Sequence, residues 1–110
     1  MKHYRLDGTS VVECDLFEWA KSLRKLDRII KQDTLSTGVR VSTVFLGIDH
    51  GYDDSKLPLL FETMIFGIDE DEYQTRCSTY QEALAMHEVA LKHCCITLEI
   101  SIEDPAHDPR

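Results

Sequence analysis

Val39-Arg40-Val41-Ser42-Thr43-Val44-Phe45-Leu46-Gly47-Ile48-Asp49 is the stretch on which the fold turns. Val39, Val41, Thr43, Val44, Phe45 and Ile48 are β-branched or aromatic, the residue types that suit a pleated, packed surface. Both faces are apolar near its middle, so the segment reads as a central strand. Asp49 ends it, and Gly51, Asp53, Asp54, Ser55 and Pro58 supply turn chemistry. A second strand follows over 59–68, Leu-Leu-Phe-Glu-Thr-Met-Ile-Phe-Gly-Ile. The short connection implies an antiparallel pair. Asp69-Glu70-Asp71-Glu72 forms a charged turn, and 73–77 adds a third strand of the meander.

Upstream, Tyr4-Arg5-Leu6-Asp7-Gly8-Thr9-Ser10-Val11-Val12 reads as a short hairpin, with Asp7-Gly8 as its turn pair. A helix begins at Asp15, which can cap it, with Glu18 placed to complete a capping box. Leu16, Trp19, Ala20, Leu23, Leu26 and Ile30 make one apolar stripe at helical period. Lys21, Arg24, Lys25, Arg28 and Lys31 form its basic side, and residues 34–38 close it. Downstream, Thr79 opens a second helix with Glu82 as capping partner and an inward stripe of Ala83, Leu84, His87, Ala90, Leu91 and Cys94. From Ile96 to Ile102 apolar and polar residues alternate, which predicts a half-buried strand, with a longer helix as the other reading. The expected order is β-β-α-β-β-β-α-β. The expected fold class is α+β: an antiparallel sheet of about four to six strands with two helices packed on one face. The 110 residues suit a single domain, 1–110, with 103–110 as a flexible tail.

Twenty acidic residues against twelve basic ones give a formal charge of −8. That balance argues against direct nucleic-acid binding by phosphate neutralisation, and against adsorption to an anionic membrane. No apolar run is long enough to span a bilayer, and no apolar segment follows the early positive charges as in an export signal. Cys14, Cys77, Cys94 and Cys95 are therefore expected as reduced thiols in a cytosol.

Gly-rich phosphate loops, nucleophile elbows and paired metal-ligand spacings are missing from the sequence. Asp49 and His50, with Glu62 and His87, are the candidate catalytic set. Two imidazoles and a carboxylate suit Zn²⁺, Mn²⁺ or Fe²⁺, or acid–base work, which makes His50, Glu62 and His87 the candidate metal ligands. Against this, Glu62 reads equally as a strand residue paired with Arg40 or Arg76, and His87 as a satisfied core histidine. Pairing Asp49 opposite Pro58 would put Glu62 on the same sheet face as Asp49 and Phe45, and a one-residue register shift would reverse that. His93-Cys94-Cys95 cannot converge on one ion while helical, because successive side chains point about 100° apart, so buried inert thiols are expected. Asp53, Asp54, Asp69, Glu70, Asp71 and Glu72 are candidate binding residues, since carboxylates projecting from turns can mimic a phosphate backbone; the alternative is a solvated surface.

The segment 40–50, with the following Leu60-Phe61-Glu62-Thr63-Met64-Ile65-Phe66-Gly67, resembles a family of small proteins of tailed bacteriophages and prophages. The resemblance extends to Tyr4–Gly8, to Glu18-Trp19-Ala20 and to the segment 79–87, but not to 96–102. It implies no activity. It implies expression in a bacterial host cytoplasm, and it makes Asp49, His50, Glu62, Thr63 and His87 matching positions. The expected function is that of a phage or prophage accessory protein, not an enzyme and without a cofactor, that binds a host protein through an acidic surface. The alternatives are a small metal-dependent enzyme using a transition metal at His50, Glu62 and His87, and a structural or assembly homo-oligomer.

Overall fold

The computed structural model describes residues 2–23, 28–49, 57–68, 73–98 and 108–109. The hairpin is β1 (His3–Asp7) and β2 (Ser10–Cys14), followed by α1 (Leu16–Ser22). Then come β3 (Ile29–Thr34), β4 (Arg40–Phe45), β5 (Phe61–Phe66), β6 (Tyr73–Cys77), α2 (Tyr80–Leu98) and the two-residue β7 (Asp108–Pro109). The fold is α+β, as expected. Beside the hairpin stands an antiparallel sheet in the order β6-β5-β4-β3-β7. The stretch that reads as a central strand from sequence, β4, is central in it.

The hairpin turn is one residue later than an Asp-Gly centre. Asp7 pairs with Ser10, so Gly8 and Thr9 are the turn, and Gly8 supplies the positive φ of 62°. The first helix is the main departure. The apolar stripe from Leu16 to Ile30 predicts one helix through Lys31, but α1 ends at Ser22 and Ile29–Thr34 is strand β3. The reason is cross-strand pairing: Ile29 and residues 31–34 find partners along β4, from Val44 to Arg40, and a bulge at Ile30 breaks the register. Ladder bonds and burial against a central strand outweigh the helical spacing, and the β-branched Ile29 and Ile30 suit a strand as well as a helix. The expected basic helix face is consequently dispersed: Lys21 stays on α1, Arg28 precedes β3, and Lys31 on β3 pairs with Glu88 of α2 at 2.8 Å. Arg24 and Lys25 lie outside the described residues.

Asp15 caps α1 by accepting from the Glu18 amide at 2.8 Å, while the Glu18 carboxylate turns to Arg5 at 3.5 Å. This helix packs against β1. The junction between hairpin and sheet is close. The Tyr4 amide donates to the Gly47 carbonyl at 2.8 Å, His3 bridges Ile48, and the Trp19 ring lies over Gly47.

Thr79 caps α2 as read from sequence, accepting from the Glu82 amide at 3.1 Å, while the Glu82 carboxylate accepts from the Thr79 hydroxyl at 3.0 Å rather than from its backbone amide. The helix lies across one sheet face through Ala83, His87, Ala90, Leu91 and Cys94, all buried, whereas Leu84 of the expected stripe is exposed. It continues over Ile96 to Leu98, so the alternating pattern there is helical at least that far, and 99–102 lie outside the described residues. Period-two alternation of mixed residues cannot outvote a helix already propagating from its cap. Of the expected tail, 103–107 and 110 also lie outside the described residues, and Asp108–Pro109 pairs with Asp33 and Thr34.

Candidate functional site

Register decides which side chains meet under α2. Val41, Thr43 and Phe45 stand opposite Ile65, Thr63 and Phe61 on the same sheet face. Val41 and Ile65 join Leu35, Val39, Ala90, Leu91 and Cys94 in one buried apolar cluster. Phe45 and Phe61 join Leu60 and Ala83 in another, onto which Tyr4, Leu6 and Val11 of the hairpin pack. Between the two clusters lies a polar layer of Thr43, Thr63, His87 and Asp33, each with no exposed surface.

These four side chains form a continuous chain. His87 Nε2 lies 2.6 Å from Asp33 Oδ2, His87 Nδ1 lies 2.7 Å from Thr43 Oγ1, and Thr43 Oγ1 lies 2.5 Å from Thr63 Oγ1. With the imidazole donating from Nε2 to the carboxylate, Thr43 donates to Nδ1 and Thr63 donates to Thr43, so every hydroxyl proton has an acceptor. Carboxylate, imidazole and hydroxyl follow one another in the order that activates a nucleophilic hydroxyl in hydrolases. Here, however, Thr43 is sealed between two strands and a helix. A group that no substrate can approach performs no chemistry on one. The chain instead ties α2 to β3, β4 and β5 at one level of the sheet. Slipping β4 against β5 by one residue would part Thr43 from Thr63 and carry Phe45 to the face opposite Phe61.

His87 is thus the satisfied core histidine of the sequence reading, and its partner Asp33 was not anticipated. Only its placement on β3, facing α2, makes it buried, and no local signal marks it. Thr43 reads as a strand former, and Thr63 is marked only as a matching position of the resemblance.

The other candidates do not converge on His87. Glu62 pairs with Val44 rather than lying in the Phe45 register, so the one-residue shift from the expected pairing holds and Glu62 faces away from α2. Its carboxylate is bound by Arg76 Nε at 2.9 Å and by Gln74 Nε2, the bland partner foreseen for it. Glu62 and His87 therefore lie on opposite faces of one sheet and cannot share an ion. Asp49 accepts from the Leu59 amide at 3.1 Å, closing the mouth of the β4–β5 connection. Among the described residues no group of three His, Cys, Asp or Glu side chains is placed to hold a metal. His50, Asp53, Asp54, Asp69, Glu70, Asp71 and Glu72 lie outside the described residues.

The thiols are poorly disposed to react. Cys94 and Cys95 are buried. Cys77 donates to the Thr79 carbonyl at 3.7 Å, and burial, helped by the nearby Glu82 carboxylate, pushes its thiol up to about 11. Such a thiol carries little thiolate at neutral pH.

None of the described helices is long and apolar enough to cross a membrane. No family model, curated protein or solved structure matches the chain.

Proposed function

We propose that the protein is a non-enzymatic phage or prophage accessory protein, acting in the host cytoplasm, that binds a host protein through its acidic connections. The observation that supports this reading best is the complete burial of Asp33, His87, Thr43 and Thr63. It turns the most reactive constellation of the described residues into a packing device, and so favours a binding role over an enzymatic one. The charge of −8 then becomes the property to explain. A protein that handles nucleic acid presents a basic groove, and an acidic surface complements it.

The acidic runs are tethered at opposite ends of the sheet. Asp53 and Asp54 belong to the connection that leaves β4 at Phe45 and enters β5 at Phe61. Residues 69–72 belong to the connection that leaves β5 beyond Ile65 and enters β6 at Tyr73. The six residues of β5, at about 3.3 Å each, hold these anchor points roughly 20 Å apart. The two runs are therefore tested separately. Tagged protein is used to capture partners from a bacterial host lysate, alongside Asp53→Lys/Asp54→Lys and a second variant reversing Asp69, Glu70, Asp71 and Glu72. A single dominant partner, released by salt and lost on reversal of at least one run, supports the reading. A partner retained by both variants refutes it.

A further inference from the structure

The two edges of the five-stranded sheet are defended unequally. At one edge, β7 covers Asp33 and Thr34 of β3, and the bulge at Ile30 breaks the regular row of backbone groups. At the other, β6 keeps an unbroken register with β5, from Cys77 opposite Phe61 to Tyr73 opposite Ile65. Among the described residues no strand pairs with its outer side. Alternate amides and carbonyls of an edge strand point outward and can template another strand, which proteins prevent with proline, lysine or a bulge. The β6 sequence Tyr73-Gln74-Thr75-Arg76-Cys77 holds none of these, and its one charge is already paired with Glu62 at 2.9 Å.

The side chains indicate which strand fits. Gln74 and Arg76 both bind Glu62 on the sheet face turned away from α2. Gln74 uses its Nε2 for this and keeps Oε1 as an acceptor, whereas Arg76 uses its Nε and keeps its Nη donors. A second copy of β6, antiparallel with its two-fold at Thr75, sets Gln74 of each chain directly opposite Arg76 of the other, acceptor against donor. That is the one two-fold register that pairs the full length of the strand. Centring the two-fold on Arg76 would instead set cation against cation.

The same pairing keeps both copies of α2 on one face of a continuous sheet. The flank of α2 nearest β6 carries Met86, which packs on the same cluster as Cys77, and His93, whose ring lies 5.0 Å from that of Tyr73. Val89, three residues from the one and four from the other, shares that flank and is 60% exposed. The exposed apolar flank of the helix and the open strand edge thus lie on one side of the molecule.

We propose that β6 is a self-association edge, at which two copies of the chain join antiparallel about Thr75 into one sheet. The dimer is independent of the acidic connections and stands whether or not these hold a partner.

The experiment is sedimentation equilibrium of the full chain from about 5 µM to about 1 mM, with amide hydrogen exchange at both ends of that range. One short strand pair is a small interface, so the expected dissociation constant is on the order of 100 µM. The outward amides of β6 should then exchange roughly fivefold more slowly at the high concentration, because about four-fifths of the chains are paired there. Gln74→Lys leaves Glu62 a partner within its own chain but sets a cation opposite Arg76, and is expected to loosen the dimer roughly tenfold. Phe17→Lys, at an exposed apolar side chain of α1, is expected to leave it unchanged. A strict monomer at the highest concentration overturns the proposal, even if a peptide of another protein pairs with β6. So does a dimer whose β6 amides exchange as fast as the monomer's, one that Gln74→Lys does not weaken, or one that Phe17→Lys weakens as much.

Discussion

Replacing His87 by alanine is the most direct test of the polar layer. The imidazole is fully buried and contacts Asp33 at 2.6 Å and Thr43 at 2.7 Å. Its removal takes the imidazole donor from a carboxylate with no exposed surface, and leaves a cavity between two apolar clusters. Depriving a buried carboxylate of a hydrogen-bond donor, together with the cavity left by the ring, costs about 3–5 kcal/mol. A domain of this size has only roughly 5–15 kcal/mol in total. At about 4 °C per kcal/mol, the melting temperature should fall by roughly 12–20 °C. The assay is urea unfolding followed by far-ultraviolet circular dichroism, with Lys92→Ala on the exposed side of the same helix as control, expected within about 0.5 kcal/mol of the parent. Asp33→Ala and the double variant complete a cycle. Because the two side chains touch, their coupling should be about 1 kcal/mol or more, so that the double variant loses less than the two singles together. A loss below about 1 kcal/mol for His87→Ala, or singles that add within about 0.5 kcal/mol, would refute the layer as a structural determinant.

Two further outcomes follow from the same geometry. Gly47 sits at φ 74°, and a Cβ there would lie 2.6 Å from Trp19 Nε1 and 2.9 Å from the Tyr4 carbonyl oxygen. Gly47→Ala should cost at least about 2 kcal/mol and shift the emission of the sole tryptophan; unchanged emission and stability would mean that hairpin and sheet do not meet there. With its thiol raised to about 11, Cys77 holds less thiolate at any given pH than an ordinary cysteine. Its alkylation at pH 8 should be roughly a hundredfold slower than that of a small thiol, and should quicken as pH climbs toward 11. Fast labelling at pH 8 would contradict the burial that causes the shift.

Much of the framework was legible along the chain. The β4–β5–β6 meander, the Gly8 turn, the Asp15 and Thr79 caps and the inward stripe of α2 are local patterns, and local chemistry settles them. Residues 29–34 were misread because Ile30 extends the helical stripe begun upstream, while the β-branched Ile29 and Ile30 serve a strand as well. The choice fell to the partner strand β4, which lies several residues further along the chain. Of the buried polar layer, His87 alone was a candidate site residue from sequence, and Asp33 carried no local signal. Glu62 and His87 were singled out correctly as unusual, but a register difference of one residue sends them to opposite faces.

What the sequence by itself determined is the α+β class, the central strand, the caps and the acidic balance, because each depends on neighbours within a few residues or on a sum over the chain. Tertiary structure alone decided that Asp33 meets His87 across 54 positions and that Thr43 meets Thr63. Those meetings depend on strand register and on which sheet face the helix covers. Both are fixed by the joint burial of distant apolar residues, a quantity that no local window contains.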